Sequence, residues 1–107
     1  MDRNFFYRIT NEDTIFVEYR TDQGEVASFV VKLLCDIHGS RYEVIRYDSA
    51  HGCPHKDTLD TEGHVISDRK VWYYYLSNSM AFTMAIDDIE QNYEFYRERF
   101  IKWLRVN

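Results

Sequence analysis

The spacing of apolar residues changes once along this chain, at Ser77, and that change decides what the chain can fold into. From there Phe82, Ala85, Ile86, Ile89, Tyr93, Tyr96, Phe100, Trp103 and Leu104 recur at intervals of three and four, which gathers them on one stripe of an α-helix. Asp87, Asp88, Glu90, Glu94, Glu98 and Lys102 fall mostly on the other side and read as a solvated face. Ser77 or Asn78 can cap the start. Glu94→Glu98 is a like-charge pair, while Glu98→Lys102 has the favoured i, i+4 order. The pattern predicts a helix over about residues 78–104, roughly 39 Å long at ~1.5 Å per residue. A helix that long and that aromatic needs a broad apolar surface to lie on.

The residues before Ser77 supply one, because their period is two. Phe5 to Ile9 is a short β-prone run, closed by Asn11-Glu12-Asp13. Ile15, Val17 and Tyr19 then alternate with Phe16, Glu18 and Arg20. Thr21-Asp22-Gln23-Gly24 reads as a hairpin turn. The longest strand runs from about Val26 to Cys35, with Ala27, Phe29, Val31, Leu33 and Cys35 on one face, which suits a central strand. In Arg41 to Asp48, strict alternation puts Glu43, Ile45 and Tyr47 on one face and Tyr42, Val44, Arg46 and Asp48 on the other. His55 to Leu59 alternates again, and Val71 to Tyr75 reads as the last strand. The reading is one α+β domain over residues 1–107: an antiparallel β-sheet of four to six strands, within residues 5–76, with one long C-terminal α-helix packed across it.

With 13 Lys+Arg against 18 Asp+Glu, the net charge of -5 argues against a non-specific nucleic-acid coat. A local cationic patch can still sit on an acidic body. No apolar run approaches the ~20 residues that span a bilayer, and Met1-Asp2-Arg3-Asn4 does not start a signal peptide. Cys35 and Cys53 make no disulfide framework, so a reduced cytoplasmic setting is the expectation.

Chemistry-bearing residues concentrate in Arg46-Tyr47-Asp48-Ser49-Ala50-His51-Gly52-Cys53-Pro54-His55-Lys56-Asp57, a strand end running into a polar turn. Two histidines four apart can serve as general base and general acid near neutral pH. RNA cleavage by its own 2′-hydroxyl needs such a pair and no cofactor. His51 and His55 would be the pair, Arg46 and Lys56 the cations, and Asp48 or Asp57 the carboxylate orienting an imidazole. Tyr47 could stack a base. Two other readings stand beside this one. His51, Cys53, His55 and Asp57 are of metal-binding types, although an extended run does not converge on one ion without a bend. The turn could also be structural, with Arg46 and Asp48 a plain ion pair. Tyr73-Tyr74-Tyr75 reads as packing, and Phe95 among helix charges is the one pointer to self-association.

Val44-Ile45-Arg46-Tyr47-Asp48-Ser49-Ala50-His51-Gly52, followed by His55-Lys56-Asp57, resembles small uncharacterised prokaryotic proteins and is similar to the TumE-type toxins of toxin–antitoxin pairs. The likeness is sharp over about twelve residues and architectural elsewhere. It implies a toxin-like, RNA-acting protein, a metal-independent ribonuclease with Arg46, Asp48, His51 and His55 as its functional set. It further implies an RNA substrate and an antitoxin protein as partners, and no cofactor. The chain departs from that pattern at Asp57, where such motifs tend to continue with a basic residue or histidine. A carboxylate there weakens the attraction for phosphate. The alternatives are a non-catalytic partner-binding or structural module and a small metal-binding protein.

Overall fold

The computed structural model describes residues 2–106. Six strands form one antiparallel sheet in which each strand pairs with the next in sequence: β1 (Asp2–Arg8), β2 (Asp13–Asp22), β3 (Glu25–Ile37), β4 (Ser40–Asp48), β5 (His55–Thr58) and β6 (Val71–Trp72). Helix α1 (Asn78–Arg105) crosses one face, chiefly over β3. The expected α+β architecture is the one observed.

The core lies between sheet and helix. Ile15, Val17, Phe29, Val31, Leu33, Cys35, Ile37, Ile45 and Tyr47 meet Ala81, Ala85, Ile89, Tyr96 and Phe100, all buried. Two of the buried helix residues are alanines, which let the helix backbone approach the sheet closely. Burial of each large side chain such as Phe100 contributes about 1.5–3 kcal/mol. Ser77 caps the helix by accepting from the Met80 N–H at 3.1 Å. Further along, Arg97 donates to buried Asp13 at 2.9 Å and to the Asp36 carbonyl at 3.1 Å, fixing the helix against the β1–β2 turn and the end of β3.

Three boundaries or faces differ from the sequence expectation. The first strand is Asp2–Arg8 rather than Phe5 to Ile9, because every residue from Asp2 to Arg8 has a partner on β2. The last strand stops at Trp72 rather than Tyr75. Its final tie is the Tyr73 N–H to the Pro54 carbonyl at 2.9 Å, and Pro54 has no N–H with which to continue a ladder. Tyr74 and Tyr75 therefore leave the sheet and are 78% and 82% exposed.

The third difference affects the site. The register slips in β4 so that Leu33 faces Ile45 while Leu34 faces Glu43, leaving Val44 as an extra, bulged residue. The bulge reverses the alternation before it. Tyr42 thus packs on Phe100 under the helix, and Glu43 comes to the open face beside Arg46. Strict alternation places each of these two residues on the opposite face.

Candidate functional site

The sheet face away from α1 carries two cross-strand rows. One aligns Phe6, Phe16, Lys32, Arg46 and Asp57; the next aligns Asn4, Glu18, Val30, Asp48, His55 and Trp72. Antiparallel pairing thereby sets Arg46 directly opposite Asp57 and Asp48 directly opposite His55. This is the shared face expected from alternation.

Arg46 lies at the centre. Its Nη1 is 3.1 Å from Glu43 Oε2, its Nη2 3.1 Å from Asp57 Oδ2, and its Nε 3.3 Å from Asp48 Oδ2. Burial alone would lower its pKa, but the Asp57 hydrogen bond and the charges of Glu43, Asp57 and Asp48 raise it above the ordinary arginine value. Lys70 Nζ approaches Asp57 Oδ1 at 3.1 Å, and Lys32 Nζ approaches Glu43 Oε1 at 2.8 Å. Arg46 Nε and Asp57 Oδ1 are buried without a well-aligned hydrogen bond, so their contacts to Asp48 and Lys70 hold by charge. Three carboxylates (Glu43, Asp48, Asp57) face three cations (Lys32, Arg46, Lys70), and the network is balanced before His55 is counted.

His55 is sealed within it, its side chain 3% exposed. Its Nδ1 lies 3.1 Å from the Cys53 carbonyl, an obligate acceptor. Its Nε2 lies 3.1 Å from Asp48 Oδ1 and 3.5 Å from Asp57 Oδ2. Trp72 covers the ring, with centroids 4.8 Å apart. Both nitrogens are thus taken up inside the protein.

His51 is placed differently. Asp48 Oδ1 accepts from the Ala50 N–H at 2.9 Å, and Ser49 exchanges bonds with the Phe29 backbone. These ties turn the chain sharply into a single 3-10 turn, Ala50–Gly52, in which His51 adopts φ 65 and ψ 21. That left-handed conformation is uncommon for a residue with a Cβ and marks stored strain. His51 is exposed, and its ring centre is 6.3 Å from that of His55. A groove of about 650 Å³ on the same sheet face is lined by Asn4, Glu18, Arg20, Val30, Asp48 and Ala50, among others, and so runs up to the residue before His51.

Tyr47 and Lys56 lie on the other side of the sheet. Tyr47 donates to Asp88 on α1 at 2.6 Å, and Lys56 Nζ donates to the Tyr96 hydroxyl at 2.6 Å. Burial lowers the Lys56 pKa, with Asp88 opposing the shift. The sheet separates these two from Arg46, Asp48, His51 and His55, which it brings together. Asp88, which reads in the sequence as part of a solvated face, accepts from Tyr47 and Tyr96 and so anchors the helix.

The metal-type residues sort in the same way. Cys53 directs its thiol to the Pro54 carbonyl at 3.5 Å. Asp48, His55 and Asp57 instead offer ligand atoms within 4.8 Å of one another. Arg46 and Lys70 already occupy the Asp57 oxygens, which opposes a further divalent charge.

Lys70 and Trp72 complete the site and carry no motif of their own. Their signal is register: once β5 pairs with β6, Trp72 faces His55, and Lys70, two residues earlier, comes level with Asp57. With this geometry in place, a family model described as a domain of unknown function (DUF7718) matches residues 1–106. The chain belongs to the DUF7718 family. No curated protein and no solved structure matches it. No helix of this DUF7718 chain is long and apolar enough to cross a membrane, among the described residues.

Proposed function

We propose that this protein acts on RNA at the histidine turn, as a toxin-like ribonuclease in which His51 moves the proton. The observation that carries the reading is the contrast between the two histidines: His51 is exposed and strained at the end of a groove, whereas His55 is buried behind it with both nitrogens engaged. His51 would take the proton of the 2′-hydroxyl as O2′ bonds to phosphorus. It would return that proton to the 5′-oxygen as the phosphorus–O5′ bond breaks, so the step needs no metal. Asp48 acts through the backbone, since its bond to Ala50 N–H sets the turn. His55 and Arg46 position Asp48. Arg3 and Arg20, both in the groove wall, are the cations available to a bound phosphate.

The test is RNA cleavage by wild type, His51→Ala and Asp48→Asn, each with and without chelator. Loss of cleavage in His51→Ala, with wild-type cleavage indifferent to chelator, supports the reading. Equal cleavage by wild type and His51→Ala, or none by either, overturns it.

A second reading, a non-catalytic binding or structural module, is favoured by the balanced, closed state of the Arg46 network. It differs in predicting no cleavage by wild type and no change in any RNA-dependent readout on replacing His51.

A further inference from the structure

On the helix side of the sheet, two arginines meet one indole. The Arg69 guanidinium carbon lies 5.3 Å from the Trp103 ring centre, and that of Arg99 lies 5.1 Å from it. Arg99 is also 5.3 Å from the Phe95 ring and 5.5 Å from the Tyr96 ring. Three other arginines of the chain are ion-paired: Arg41 with Asp36 at 3.0 Å, Arg46 with Glu43 at 3.1 Å, and Arg97 with Asp13 at 2.9 Å. Among the described residues, Arg69 and Arg99 form no ion pair, although Asp68 and Glu98 adjoin them in sequence.

The ring faces offset part of the cost of bringing two guanidiniums together. Arg99 Nε is buried and has no hydrogen-bond partner. Burial and the neighbouring Arg69 charge hold Arg99 below the usual arginine pKa, and Arg99 adds to the lowering of Lys56. A chain with 18 Asp+Glu has carboxylates to place here, yet Arg69 and Arg99 pair with none. The negative end of the helix dipole acts over the last turn, and Arg99 precedes the helix end, Arg105, by more than one turn. An external anion would satisfy both guanidiniums. Phe95, 60% exposed beside them, adds an apolar ring that a carboxylate-bearing peptide does not need but a nucleobase can stack on.

We propose that Arg69, Arg99, Trp103 and Phe95 form a binding patch for single-stranded RNA, the two guanidiniums taking a phosphate and the Phe95 ring a base. The proposal rests on the RNA-acting reading and extends it to a second surface. Lys70, the residue after Arg69, turns to the opposite face and pairs with Asp57, so the patch and the histidine face meet around the β6 edge.

The test uses a fluorescein-labelled oligo-deoxyuridine strand of about 12 nucleotides, a length suited to a single small domain. Lacking 2′-hydroxyls, it cannot be cut by the chemistry proposed above, so binding is read apart from cleavage. Anisotropy titrations compare wild type with Arg69→Gln, Arg99→Gln, Phe95→Ala and, on the far edge of the sheet, Arg8→Gln. Each patch variant should weaken binding severalfold, and each arginine variant should lower the slope of log affinity against log salt by about 0.7, the value for one phosphate contact on a single strand. Arg8→Gln should bind as wild type, which excludes a simple net-charge effect. Should Arg99→Gln lose its fold by circular dichroism, exposed Arg69 carries the test. Binding by Arg69→Gln within about twofold of wild type, equal weakening in Arg8→Gln, or no wild-type binding at low salt overturns the patch. Displacement by poly-glutamate as effective as by unlabelled strand also overturns it, in favour of an acidic protein partner. RNA cleavage that persists in an Arg69→Gln variant with unchanged binding would sink the patch alone; patch binding without any cleavage would sink the ribonuclease alone.

Discussion

His55 Nε2 stands 3.1 Å from Asp48 Oδ1, and the same carboxylate oxygen receives the Ala50 N–H at 2.9 Å. One buried acid therefore joins the fifth strand to the turn that presents His51. Positioning and exposure are divided between the two histidines, and the division is open to measurement.

His55→Ala should destabilise the protein by about 2–5 kcal/mol, because it opens a cavity beneath Trp72 and leaves Asp48 buried with one partner fewer. His51→Gly should do the reverse. It relieves a left-handed backbone angle at φ 65, offset by the greater freedom of glycine in the unfolded chain, for a net gain of about 0–1 kcal/mol. Urea unfolding of both variants reads the order. A His51→Gly variant less stable than His55→Ala would show that the turn is not strained.

Asp57 and Lys70 should be unequal partners although they touch at 3.1 Å. Asp57→Asn leaves Arg46 and Lys70 without their shared counter-ion in a site where Asp57 is 2% exposed, and should cost about 3–5 kcal/mol. Lys70→Met removes a cation that is 26% exposed, and Arg46 remains on Asp57, so the cost should stay within about 1 kcal/mol. Equal losses in denaturant titrations would place the weight of the network on Lys70 instead of Arg46.

Asp48, His55 and Asp57 have the spacing of a small metal site, but the two cations on Asp57 compete with an ion for the same oxygens. Chelator should leave the melting temperature unchanged, and added zinc or manganese should not raise it. A bound ion present at 100-fold over its Kd would add about 2.7 kcal/mol, a shift that thermal melting resolves easily. A zinc-dependent rise that disappears in Asp48→Asn would establish the metal site and remove the charge-balance argument.

The legible parts of the fold were those in which one period held without interruption. The helix is readable because its apolar residues keep a spacing of three and four from Phe82 to Leu104, and the site residues are readable because alternation is regular from Ile45 to Asp48 and from His55 to Thr58. Val44 shows what alternation misses: a bulge has no residue signature, yet it moves Glu43 into the Arg46 network and Tyr42 out of it. Adjacency in sequence groups Lys56 with the histidines, while the pleat sends it to Tyr96 on the far side. Lys70 and Trp72 enter through strand pairing between residues far apart in sequence, and no local pattern encodes that. Asp88 sits near the edge of the helix's polar face, and only the docking angle decides that it turns inward.

That docking angle has a pH signature. Burial by itself would raise the Asp88 pKa, but hydrogen bonds from Tyr47 and Tyr96, the Lys56 charge and Asn92 outweigh it and hold the carboxyl below its ordinary value of 3.8. A folded-state pKa below the unfolded one gives stability that is full above about pH 4 and is lost as pH falls through the folded value. Tyr47 is shifted the other way: burial, then its bond to Asp88, pushes its pKa well above 10.0. Its contribution is full below pH 10.0 and is lost as pH rises from there towards the folded value. Lys56 faces the same group, and burial lowers its pKa, so its own contribution grows on the alkaline side and partly opposes that of Tyr47. Urea midpoints measured from about pH 3 to about pH 11 should therefore fall at both ends for wild type. Asp88→Asn should flatten the acid limb, Tyr47→Phe should flatten the alkaline limb, and Lys56→Met should steepen it. An Asp88→Asn variant that follows wild type through the acid range would show that the helix is held to the sheet without this carboxylate.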